Sequence, residues 1–118
     1  MVRDCFEWDT TKNDNNKRKH GVSFEDAILI FDDPYLLEKY DSKHSEYEDR
    51  FLAIGSICGL VLMAVAYTDR AGITRIISAR SATKAEKELY YDKINEYYVD
   101  NIYQLSIPFI KTHHSTPK

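Results

Sequence analysis

The run Leu60 to Thr68 is apolar at almost every position, so a strand built from it has to be covered on both faces. Such a strand belongs in the middle of a sheet. Arg50 to Ser56, carrying Phe51, Leu52 and Ile54, precedes it, and Ile73 to Arg80 follows, alternating into a basic end. The connections Ser56 to Gly59 and Asp69 to Gly72 are of hairpin length and rich in turn formers, so neighbouring strands run antiparallel. The centre of the chain reads as a meander of three or four strands.

Ahead of it, Cys5 to Trp8 alternates like a short opening strand. Asp9, Thr10 and Thr11 can cap a helix over Lys12 to His20, and Gly21 stops that helix. Ser23 is the next N-cap, with Asp26 where a capping box has Glu. Phe24, Ala27, Ile28 and Phe31 then fall at i, i+3, i+4 and i+7, one buried helix face. Asp32-Asp33-Pro34 ends it, because proline cannot continue the hydrogen-bond ladder and pushes its predecessor out of the α region. Tyr35 to Tyr40 reads as a further strand and Asp41 to Asp49 as a polar connection.

After the meander, Thr83 and Glu86 form a capping box. Leu89, Tyr90, Ile94, Tyr97 and Tyr98 continue an apolar stripe toward Ile102 and Leu105, which predicts a long helix packed on the sheet, closed by Pro108. The expected fold is α+β: a short N-terminal strand, two helices, an antiparallel three- or four-stranded sheet and a long C-terminal helix. Residues 1–107 would form one domain and 108–118 a tail.

With 118 residues there is room for one core, and 43% hydrophobic against 30% charged residues excludes a disordered or collagen-like chain. The longest apolar stretch falls well short of the roughly 20 residues a membrane helix needs, and no secretory signal is recognisable. Cys5 and Cys58 are too few for a disulfide scaffold and lack metal-ligand spacing, so a reducing, cytoplasmic setting is expected. The net charge of -3 does not advertise nucleic-acid binding, yet its distribution is uneven. Lys12 to His20 carries a net +3, Asp32 to Asp49 a net -5, and Arg70 to Lys93 a net +3. Two basic regions flank an acidic one, which permits an anionic ligand and equally describes ordinary solvated faces.

Three stretches are specific in combination: FEWDTTKNDNNKRKHGVSFEDAILIFDDP (Phe6 to Pro34), DSKHSEYEDRFLAIG (Asp41 to Gly55) and ITRIISARSATKAEKELYY (Ile73 to Tyr91). With the strand between them they resemble, in the same order, the BrnT toxins of bacterial type II toxin–antitoxin systems. That resemblance implies a RelE-like fold and a metal-independent ribonuclease with no cofactor. It also implies inactivation by a cognate BrnA-like antitoxin, which often carries a ribbon-helix-helix DNA-binding region. Contact with DNA would then be indirect, through the antitoxin, and a hetero-tetramer with it is one expected assembly.

Metal-free RNA cleavage needs a base for the 2′-hydroxyl, cations for the phosphate charge and an acid for the leaving 5′-oxygen. His44, Glu48, Arg50, Arg75 and Arg80 are residues of those types. His44 and Glu48 share a face whether the segment is extended or helical, so a His–Glu pair is expected under either local structure. A solvated acidic loop with an incidental histidine is the alternative. Strict alternation puts Arg75 and Arg80 on opposite faces, so either a bulge or the strand end re-aims one of them, or only one is catalytic. Arg80, at the strand end before the Thr83 cap, is the favoured catalytic cation; its alternative is a surface pair with Glu86 or Glu88.

The catalytic candidates are thus His44, Glu48 and Arg80. The RNA-binding candidates are Lys12, Lys19, His20, Arg50, Tyr67 and Arg75. His20 could instead serve the helix C-terminus, and Tyr67 could stack on a base or simply fill a sheet face. The late tyrosines read as packing residues, some of them covered by a partner, with the acidic Asp32 to Asp49 stretch as the attractor for a basic antitoxin. Two other classes compete: a non-catalytic module that binds its partner within a repressor complex, and a metal hydrolase built on His44 with Glu46 or Glu48.

Overall fold

The computed structural model describes residues 5–105. Strand β1 (Phe6–Glu7) leads into helix α1 (Thr10–His20) and a one-turn α2 (Phe24–Ala27), which tightens into a 3-10 turn over Ile28–Asp32. Then come β2 (Leu37–Tyr40), a second 3-10 turn (Ser42–His44), β3 (Arg50–Ile57), β4 (Val61–Arg70), β5 (Ile73–Ser81) and α3 (Lys84–Leu105). The sheet order is β1-β5-β4-β3-β2. All neighbours are antiparallel except β1, which pairs parallel with β5. The sheet is therefore wider than the expected three or four antiparallel strands, and mixed, because β1 joins one edge and β2 the other. Pro108 and the expected 108–118 tail lie outside the described residues.

Local chemistry accounts for the element ends. Asp9 accepts the Lys12 N–H at 3.0 Å to open α1, and Gly21, at φ 71°, closes it in the left-handed conformation that an L side chain resists. Ser23 caps α2 by accepting the Asp26 N–H. The β3–β4 and β4–β5 hairpins each turn on two successive positive-φ residues, Cys58-Gly59 and Ala71-Gly72, the geometry that suits the right-handed twist of paired strands. The Thr83/Glu86 capping box forms in both directions: Glu86 N–H donates to Thr83 Oγ1 at 3.2 Å and Thr83 N–H to Glu86 Oε1 at 2.9 Å.

The two faces of β4 are buried against different elements, which is why its sequence is apolar from Val61 to Tyr67. On one face, Met63, Val65 and Tyr67 join Ala53, Ile76 and Ala79 beneath Phe24, Ala27 and Ile30. Gly55 permits this approach, since a Cβ there would lie 2.8 Å from Leu36 Cδ1 and 3.0 Å from Ile30 Cβ. On the other face, Ile54 and Leu62 pack with Ala82 and with Tyr90 of α3. Only the first turns of α3 do this. At a rise of about 1.5 Å per residue the 22-residue helix outruns the sheet. Tyr90 and Ile94 are packed as expected, whereas Leu89, Tyr97 and Tyr98 are largely exposed.

Helix α1 is fastened by two buried asparagines. Asn16 donates to Ala79 O (2.7 Å) and Val22 O (2.9 Å) and accepts the Ala79 N–H (3.1 Å), satisfying β5 where β1 no longer pairs with it. Asn13 accepts the Phe24 N–H and donates to Glu25.

Candidate functional site

The register of β5 decides what the site contains. Ala66 of β4 faces Ser78 and Tyr67 faces Ile76, so Ile77 is an extra, bulged residue. The bulge resets the alternation: Arg75 pairs with Thr68 and Arg80 with Ala64, two positions on the same face of β4. Both arginines thus share one face, the option that a regular strand forbids. Arg50 lies opposite Thr68 from the other side, giving the row Arg50, Thr68, Arg75, Glu7 across β3, β4, β5 and β1. Two strand spacings put the Arg50 and Arg75 backbones about 10 Å apart.

This row sits at the end of the face away from the Ile54–Leu62–Ala82–Tyr90 cluster under α3. The next row, Leu52, Ala66 and Ser78, is half-buried and forms the floor beside it. Thr68 is only 1% exposed, covered by its charged neighbours. Its hydroxyl donates to the Asp49 carbonyl at 2.7 Å and contacts Glu48 Oε2 at 3.3 Å. Arg70 forks onto the same carboxylate at 3.2 and 3.1 Å. The Arg70 hydrogen bond outweighs desolvation and holds the Glu48 carboxyl below its ordinary value. Arg75 pairs with Glu7 at 3.2 Å, while Arg50 makes no ion pair among the described residues.

His44 is 64% exposed in the 3-10 turn that precedes β3, and its Nδ1 lies 2.8 Å from Asp41 Oδ2. Desolvation raises the Asp41 carboxyl, but the His44 hydrogen bond and charge overcome it and leave it lowered. The turn is fixed to β3: Asp41 N–H donates to the Arg50 carbonyl (2.8 Å), and Ser45 Oγ donates to the Asp41 carbonyl and accepts the Arg50 N–H. The expected His44–Glu48 pair is replaced by two pairs, His44–Asp41 and Glu48–Arg70, because the 3-10 turn breaks the regular spacing on which it depended.

Arg80 lies four β4 positions from the row, about 13 Å along the strand. Its guanidinium forks onto Glu86 at 2.7 and 2.9 Å. Arg80 lowers the Glu86 carboxyl to about 2 against some desolvation, with help from the Thr83 N–H. Tyr67 points to the opposite face, into the core. Its ring stacks on Phe51 and meets Phe31 edge-on, and its hydroxyl donates to Glu38, so both its ring and its polar end are engaged within the protein. Lys12, Lys19 and His20 are exposed on α1, outside the arginine row.

Thr68, Arg70, Glu7 and Asp41 complete the site and were not among the sequence candidates. A hydroxyl ending an otherwise apolar strand, two residues before an arginine, was the available signal for the first two. No three His, Cys, Asp or Glu side chains converge on a cation-sized position among the described residues. His113 and His114 lie outside them. No described helix is long and apolar enough to cross a membrane.

The fold is thus a small mixed sheet with one face roofed by short helices and the other carrying Arg50, Arg75 and Arg80. Residues 8–86 match the family described as the ribonuclease toxin, BrnT, of type II toxin-antitoxin systems, and the chain belongs to that family. It is also similar to the crystal structure of the Brucella abortus ribonuclease toxin, BrnT. The TM-score is 0.51 and the identity 28%, over 67% of this chain and 96% of that one. No curated protein matches the chain.

Proposed function

We propose that the chain cleaves RNA without a metal, by attack of a 2′-hydroxyl on the adjacent phosphate, and that a BrnA-like antitoxin silences it. The observation that supports this best is the bulge-aligned row, in which Arg50 and Arg75 flank Thr68 and can grip a phosphate from two sides. The dianion-like charge that builds on the phosphorane oxygens falls between these guanidiniums. His44 takes the 2′-hydroxyl proton at Nε2, its Nδ1–H held by Asp41, the arrangement that fixes an imidazole as a base. Glu48 braces Arg70 over Thr68. Arg80 holds a phosphate further along the strand. The 2′-oxygen–phosphorus bond forms, the 5′-oxygen–phosphorus bond breaks, and the leaving oxygen takes a proton from solvent at the open face. The products are a 2′,3′-cyclic phosphate and a 5′-hydroxyl.

A single experiment tests the chemistry: purified protein with a defined RNA in excess EDTA, its product ends identified by mass. Arg50→Ala and Arg75→Ala should each lower the rate by roughly 10²–10³. Cleavage that disappears with EDTA returns the reaction to the metal-hydrolase class, and RNA left intact by a folded protein makes the chain a binding module.

A further inference from the structure

The family match ends at residue 86, three residues into α3, while the helix runs on to Leu105. The extra helix stands over the Pro34 corner that leads into the edge strand β2. Asp33 pins that corner, accepting Tyr90 Oη–H at 2.6 Å, Ser56 N–H at 2.8 Å and Tyr35 N–H at 2.9 Å. Tyr35 then meets Tyr97 edge-on, at 5.9 Å between ring centroids, and shares a 2.9 Å hydroxyl contact with Tyr98. Between corner and helix lies a groove of about 420 Å³, its apolar walls formed by Pro34, Leu36 and Ile94.

Tyr97, which lines this groove, remains 53% exposed, and Tyr98 beside it 45%. Rigid rings already held by neighbours give contact area with little further loss of freedom on binding. The rim is acidic. Glu96 and Asp100 line it beside the cation Lys93, and Asp92 continues the four-residue spacing on the adjoining surface of α3. That charge repels a phosphate backbone, and it would oppose itself across the two-fold axis of an isologous dimer. It fits a cationic segment, and a type II system supplies the toxin with a protein antitoxin.

We propose that the groove between the Pro34–Leu36 corner and α3 docks a cationic segment of the antitoxin whose apolar side chains anchor against Pro34, Leu36, Ile94 and the exposed ring of Tyr97. The proposal rests on the toxin assignment, and its site is separate from the arginine row. The probe is the purified product of the reading frame adjoining this one, with binding rates measured at 50 mM and 500 mM salt as order-of-magnitude low and high conditions. The combined Asp92→Asn, Glu96→Gln, Asp100→Asn variant should associate about ten-fold more slowly at low salt and nearly normally at high salt. Tyr97→Ser should dissociate about ten-fold faster. Circular dichroism checks that both variants are folded.

Unchanged rates in both folded variants overturn the proposal. So does a toxin dimer, seen by light scattering, that the same substitutions split, because the occupant is then a second copy. RNA binding lost in the acidic variant while antitoxin binding persists overturns it too. RNA cleavage in EDTA on the same preparations separates the two readings. Groove-dependent binding without cleavage supports the docking site and removes the nuclease, whereas cleavage with groove-independent binding keeps the nuclease and removes the docking site.

Discussion

Two side chains at the site show how a partner redirects a residue. Arg80 and Glu86 form a forked pair whose carboxylate also caps α3, so Arg80 supports the helix start as well as facing any ligand. Glu86 has a folded-state value of about 2, below its ordinary 4.5. Its contribution to stability is therefore fully present above pH 4.5 and is lost as the pH falls toward 2. Arg80→Ala should cost about 1 kcal/mol at neutral pH, the pair being only partly buried and so discounted for screening. Thermal melts from pH 5 to pH 3 should then show a shallower acid loss than in the parent protein over that range, about the window set by the Glu86 shift. In cleavage assays the same variant should raise KM more than it lowers kcat, because its phosphate is not the scissile one. His44→Gln should do the opposite, lowering kcat by about 10² or more with little change in KM. A His44→Gln enzyme with parental kcat would leave the 2′-hydroxyl without its proposed base.

At the scale of elements, the attachment of α1 depends on a side chain that imitates a strand. Asn16 supplies a donor and an acceptor to Ala79 and a second donor bond to Val22, all in a buried position. Asn16→Ala should destabilise the fold by roughly 2–4 kcal/mol, because it strands backbone groups that water cannot reach. Urea unfolding measures this, and a loss below about half a kcal/mol would mean that β5 is satisfied some other way. Hydrophobic periodicity gave no warning of it, since α1 is polar throughout and its two buried residues are both asparagines. The β5 bulge was likewise one of several options in sequence. Ile76 and Ile77 are both apolar and either could face the core, so the choice between them rests on how β5 meets the core side of β4.

At the scale of the molecule, the described residues extend 55 Å against 31 and 29 Å across, and the elongation follows the helix that outruns its sheet. Amide exchange should reflect this: protection in free protein should be higher around Tyr90 and Ile94 than around Asn95 to Asp100, and the second region should slow when antitoxin is added. Equal exchange there with and without antitoxin would count against the groove as its seat. The meander, the caps at Asp9, Ser23 and Thr83, the stop at Gly21 and the family resemblance were all legible in the residues, because each depends on local periodicity, turn chemistry or short-range hydrogen bonding. The width of the sheet, the parallel β1, the shared face of Arg75 and Arg80, the inward turn of Tyr67 and the division of His44 and Glu48 between separate partners were decided by tertiary structure. Each of these depends on which backbone groups or charges from distant parts of the chain come into contact, and spacing along one segment carries no information about contacts across strands.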